Sequence, residues 1–130
     1  MSPMPRPPDN ARDAGAGPIH GVVVDGAFVA TDSEGYLADL DQWSEGFAIA
    51  QAQKEGLALT PAHWELIRFL RDYWLEHGVQ AQVRVMIRHF SEAWGPERGS
   101  NHHLHEMFPR GGPQKQGNRL AGLLRTKGEH

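Results

Sequence analysis

No cysteine occurs in these 130 residues. That absence excludes a disulfide, and it excludes any chemistry in which a thiol acts as nucleophile, sulfur carrier or metal ligand. A charge excess of one sign is also missing. Lys and Arg number 13 against 16 Asp and Glu, a net −3 with histidine neutral, so the chain lacks the broad basic balance of a general nucleic-acid binder. No apolar run approaches the roughly 18 residues that a membrane-spanning helix requires. The opening stretch MSPMPRPPDNARDAGAG lacks the apolar stretch of a secretory signal. A cytoplasmic protein that does not engage a membrane is expected. Bulky apolar side chains are scarce from residue 1 to about 19, too few to offset the entropy of ordering, and this segment reads as a disordered leader.

What is present begins with GVVVDGAFVATD. Val22, Val23 and Val24 meet Asp25-Gly26, and Phe28 and Val29 follow. Asp-Gly between short β-prone runs predicts a hairpin, because a type I′ turn needs positive φ at both central residues. Helical spacing then takes over. Trp43, Phe47 and Ala50 predict a helix from about Asp41 to Lys54, stopped by Gly56. A second helix has Thr60 as N-cap and Pro61 at its first position, with a stripe of Trp64, Ile67, Leu70 and Trp74 ending near His77-Gly78. A third, from about Gln80 to Ala93, turns Val83, Met86, Ile87 and Phe90 inward, and Gly95-Pro96 stops it. Two short helical segments, SNHHLHEMF and PQKQGNRLAGLL, complete the set. The four tryptophans, Trp43, Trp64, Trp74 and Trp94, read as core-facing. Met107 and Phe108 read as anchors for the fourth segment. Gly111, Gly112 and Pro113 read as the hinge of a polar C-terminal arm over residues 111–130, following a domain over 20–110.

The runs TDSEGYL (31–37), QWSE (42–45), LTPAHWELIRFLRDYWLEHG (59–78), FPRGGPQKQ and AGL (108–123) fall in the order and spacing of a known family. Over residues 20 to 128 the chain resembles the DsrC/TusE/DsvC family of sulfur-relay proteins. The resemblance implies an α+β, mainly helical fold, in which an N-terminal β-hairpin packs on an orthogonal helical bundle with a flexible C-terminal arm. In that family a cysteine next to the C-terminus takes up sulfur as a persulfide. Members working with dissimilatory sulfite reductase carry a second cysteine within the GGPxKQ segment, which members with the tRNA-thiolation role can lack. Aligned on GGPQKQ, these positions are Glu129 and Asn118 here. Sulfur relay proceeds by thiolate attack on a persulfide or disulfide. A carboxylate is a hard oxygen base and an amide is no useful nucleophile, so no catalytic residue and no cofactor is expected. The expectation is instead a non-catalytic binding or regulatory protein of sulfur metabolism. Its partners would be a TusBCD/DsrEFH-type sulfur-transfer complex or a sulfite-reductase-like enzyme. Arg84, Lys115, Arg119, Arg125 and Glu129 are the contact candidates, with Lys127 as a further steering charge.

Two other constellations bear on function. His102, His105 and Glu106 share one face at helical spacing, which makes them a weak metal candidate beside His103. The turn around His77-Gly78 joins two helices in the manner of a helix-turn-helix, and the family has an element of that kind with a proposed DNA-binding role. On the second helix Gln80, Arg84 and Arg88 are the nucleic-acid candidates, since arginine fits a phosphate or a guanine edge bidentately.

Overall fold

The structure, a computed structural model, describes residues 19–125. Most of the expected leader, together with Lys127 and Glu129, lies outside the described residues. Among these, two strands and five helices follow in the order β1 (His20–Val24), β2 (Ala27–Thr31), α1 (Glu45–Lys54), α2 (Pro61–His77), α3 (Val83–Trp94), α4 (Asn101–Met107) and α5 (Gly112–Leu120). The fold is α+β and mainly helical, as expected.

The strands form one antiparallel pair with Val22 opposite Val29 and Val24 opposite Ala27. Asp25 and Gly26, at φ 51° and 83°, make the turn between them. Period-two alternation then sends Val22 and Val29 to one face, where they bury against Leu37 and Phe47. This small cluster fastens the hairpin to α1.

Helix α1 starts four residues later than its apolar spacing predicts. Asp39 caps a separate 3₁₀ turn over Leu40–Gln42, and Ser44 is the true N-cap, accepting from the Phe47 N–H. Helix α2 matches its expected bounds. The Thr60 side chain accepts from the His63 backbone, and His63 answers through its ring in a capping box. Gly78 closes α2 in the left-handed conformation. Helix α3 begins three residues later than expected. Met86 and Phe90 are fully buried, with Val83 and Ile87 packed at the margin. Leu66, Ile67 and Leu70 of α2, Leu104 and Phe108 around α4, and Leu120 of α5 join them in the main core. Burying one such side chain contributes about 1.5–3 kcal/mol. The four tryptophans lie half-buried against this core. The indole N–H of Trp43 donates to the Leu120 carbonyl, and that of Trp94 to the Glu65 carboxylate. No helix among the described residues is long and apolar enough to cross a membrane.

Candidate functional site

The residues expected to matter most lie on and around α5. Gly111 and Gly112 both adopt positive φ, 113° and 84°, and Pro113 opens the helix. Gly112 and Pro113 are buried, however, and a Cβ on Gly112 would lie 2.7 Å from the His105 ring. In this structure Gly112 and Pro113 pack into a corner, while Gly111 stays exposed. Residues 112–123 of the segment read as an arm are buried apart from the half-buried Gln114 and Lys115.

That burial is unexpected for so polar a sequence, and Glu55 explains it. Its carboxylate, at the C-terminal end of α1, receives Arg119 through two contacts, Nε to Oε2 at 2.9 Å and Nη2 to Oε1 at 2.7 Å. Gln51 donates to Oε2 at 2.7 Å and Gln116 to Oε1 at 2.8 Å. Gln116 in turn accepts from the Arg110 N–H, and Arg119 donates to the Arg110 carbonyl. Both ionic side chains are less than a tenth exposed. Burial by itself would push the Glu55 carboxyl up. The hydrogen bonds from Arg119, Gln51 and Gln116 and the charge of Arg119 outweigh it and hold the carboxyl below its ordinary value. Burial likewise opposes the charge on Arg119, yet its bond to Glu55 raises its pKa. Arg119, expected at a partner surface, is therefore an interior residue whose charge is committed to Glu55. Its partner lies 64 positions away in the chain, and no local pattern announces it.

The motif TDSEGYL forms the other wall. Asp32 Oδ1 accepts from the N–H groups of Glu34, Gly35 and Tyr36 at 2.9–3.0 Å, which closes the loop on itself. Gly35 has φ 102°, and a Cβ there would meet the Gln51 amide at 2.4 Å. Only glycine brings the loop this close to α1. Tyr36, buried beneath, lies 5.6 Å from the Arg119 guanidinium and 5.0 Å from that of Arg125. Arg125 also reaches Glu34 at 2.6 Å and Asp32 at 3.5 Å. Side chains of other elements grip the carbonyls at and beyond the end of α5 as well. Trp43 takes that of Leu120, Arg71 that of Ala121, and Gln80 that of Leu124. Burial holds the Arg71 pKa below its ordinary value, partly offset by Asp72. Asp32, Tyr36, Gln51, Glu55 and Gln116 are site residues that sequence reasoning did not single out. Asp32 and Tyr36 lie inside the resembling motif TDSEGYL and Gln116 inside GGPQKQ, whereas Gln51 and Glu55 lie in none of the resembling runs.

Asn118 sits on the inner face of α5 with no exposure. Its Nδ2 donates to the Gln114 carbonyl at 2.6 Å, while its Oδ1 has no hydrogen-bond partner. Of the nucleic-acid candidates, Arg84 and Arg88 are exposed on α3, and Arg84 leans on Gln82 at 3.1 Å. Gln80, expected on the same helix, lies before α3 and donates to the Leu124 carbonyl. The metal candidates do not converge. His102 pairs with Glu106 at 3.2 Å, while His105 Nδ1 bonds the Asn101 carbonyl at 2.8 Å. No group of three His, Cys, Asp or Glu among the described residues is arranged to hold a metal ion.

Comparison with known proteins agrees with this architecture. A sequence model of the family described as "DsrC like protein" matches residues 23–128. The sulfurtransferase TusE of Escherichia coli O6:H1 is 40% identical over 102 residues, covering 78% of this chain and 93% of that protein. The TusE of Salmonella choleraesuis is also 40% identical over the same span. Among solved structures, Allochromatium vinosum DsrC is 39% identical, with a TM-score of 0.74 over 85% of this chain and 97% of its own. The oxidized gamma-subunit of dissimilatory sulfite reductase (DsrC) from Archaeoglobus fulgidus is 32% identical, with a TM-score of 0.76 over 84% and 98%.

Proposed function

The chain belongs to the DsrC-like family, and on that premise we propose that it is a non-catalytic member, a binding or regulatory component of sulfur metabolism that does not carry sulfur itself. One observation carries this reading: the 130 residues hold no thiol. A persulfide forms when a thiolate accepts sulfane sulfur, and neither the Asn118 amide nor the Glu129 carboxylate has the soft, polarizable nucleophile this needs. The environment of Asn118 supports the same reading, since α5 is locked around it by Glu55 and the position is closed to solvent.

What such a protein retains is its surface. It docks on a TusBCD/DsrEFH-type sulfur-transfer complex or a sulfite-reductase-like enzyme through the C-terminal segment, with Arg84, Lys115, Arg125 and Glu129 as contacts. Arg119 supports that segment from within. In the first test, the purified protein is incubated with a persulfide donor and its intact mass is measured. An unchanged mass is expected, and a stable gain of one sulfur atom refutes the reading. In the second, the tagged protein is used to capture partners from its host's lysate with and without nuclease. Sulfur-relay subunits or a sulfite-reductase-like enzyme retained after nuclease are expected.

The exposure of Arg84 and Arg88, one turn apart on α3, favours a second reading, a regulator that binds DNA. On that reading a mobility shift is salt-sensitive and is lost in the Arg84→Ala/Arg88→Ala variant. No shift by the parent protein ends it.

A further inference from the structure

A pocket of about 360 Å³ opens at the corner between α4 and α5, lined by Glu34, Glu55, Arg110, Gly111, Lys115 and Arg119. Its charges do not cancel. Glu55 is taken by Arg119 and Glu34 by Arg125. Three cations against two carboxylates leave the lining with a net charge of +1, and among the described residues Arg110 and Lys115 are the cations not committed to a carboxylate.

The chain that carries them is held in place, although the Arg110 side chain itself is exposed. The backbone of Arg110 is fixed at its two ends by α5, its N–H on Gln116 Oε1 at 2.9 Å and its carbonyl under Arg119 Nη2 at 2.8 Å. The Lys115 stem lies across Gly111, where an added Cβ would come within 2.9 Å of the Lys115 Cβ. The missing side chain at 111 is what lets the lysine lie along the pocket wall. A guanidinium supplies a planar fork of donors and an ammonium a compact point charge. Together they suit a small anion with several oxygens, which can take a donor from each.

From this charge balance we infer that the α4–α5 corner is a binding site for a small tetrahedral oxyanion of the sulfate or hydrogen-phosphate class, held between Arg110 and Lys115. The site is independent of the sulfur-relay reading. It needs no thiol, no partner protein and no movement of α5.

The test is an amide-resolved NMR titration of the full-length protein with sodium sulfate and with sodium phosphate, against sodium chloride at matched ionic strength. The amides of Gly111, Lys115 and Gln116 are expected to shift along a saturating curve, with a dissociation constant of about 1–10 mM for two charge-assisted contacts. Arg110→Gln and Lys115→Gln each weaken binding about tenfold. Lys54→Gln, whose ammonium bonds the Gly21 carbonyl beside the hairpin, leaves it unchanged. The rest of each variant's spectrum reports that the fold is intact. A linear drift equal to that with chloride overturns the inference, and so does saturation that survives both substitutions. Sodium acetate separates a free tetrahedral anion from a carboxylate: saturation by acetate but not by sulfate or phosphate overturns the assigned class.

Discussion

Replacing Glu55 with glutamine keeps the shape of the side chain and removes its charge. In the folded protein Arg119 then stays behind at 9% side-chain exposure, and of its two carboxylate contacts of 2.9 and 2.7 Å one meets a neutral amide oxygen and the other an amide NH2, itself a donor. Gln51 and Gln116, which both donate to the carboxylate, lose a charged acceptor at the same time. Breaking a buried pair from one side costs about 3–5 kcal/mol, because the surviving charge is uncompensated. That is a large fraction of the roughly 5–15 kcal/mol that holds a domain folded. For a chain of this length it lowers the melting temperature by about 10–20 °C. The assay is urea and thermal unfolding followed by tryptophan fluorescence, for Glu55→Gln, Arg119→Met and the double variant. Because the double variant leaves no buried charge, it is expected to recover most of the loss. The pH dependence has a defined sign. Since the folded-state carboxyl lies below its ordinary value of 4.5, its contribution is complete above that value and fades as pH falls through the folded one. The gap between parent and Glu55→Gln therefore narrows below about pH 4.5. A single-variant loss under about 1 kcal/mol, the size of a surface pair, refutes the account of α5 burial given above.

Asn118→Cys removes an acceptor with no partner and leaves the Gln114 carbonyl its helical bond, so it is expected to stabilise by about 1 kcal/mol. Its new thiol, in a position with no exposure, should react with aromatic disulfide reagents far more slowly than free cysteine; labelling at the free rate would contradict the burial. Gly122→Ala forces a Cβ to 2.2 Å from Trp43 Cδ1 at φ 72°, and a loss of about 2–4 kcal/mol with a changed Trp43 emission is expected. Thr60→Ala takes away the α2 cap and should cost about 1 kcal/mol in urea unfolding.

Local chemistry made much of this fold legible. Asp25-Gly26, Thr60-Pro61 and Gly78 each impose a backbone state that few other residues tolerate, and the hairpin and α2 lie where those residues put them. The start of α1 was missed because Trp43 continues the apolar spacing although its backbone is extended, so periodicity ran through a real break. The site was harder to read for a different reason. GPQKQGNRL has the composition of a solvated helix, and only a carboxylate from α1 makes burial of its amides and arginine favourable. Such a pairing is long-range, and no window of sequence contains both halves. Asn118 was identified by alignment on GGPQKQ, yet its depth in the core was not.

That depth bears on how such chains drift. Gln116 holds Glu55 and the Arg110 backbone. A Cβ on Gly117 would stand 2.9 Å from Leu70, and Gly112 has no room beside His105. Packing alone therefore constrains Gly112, Gln116 and Gly117 of GGPQKQG, whatever chemistry the segment carries. A chain without a thiol can thus display the family's signature, which records architecture and is silent about reactivity.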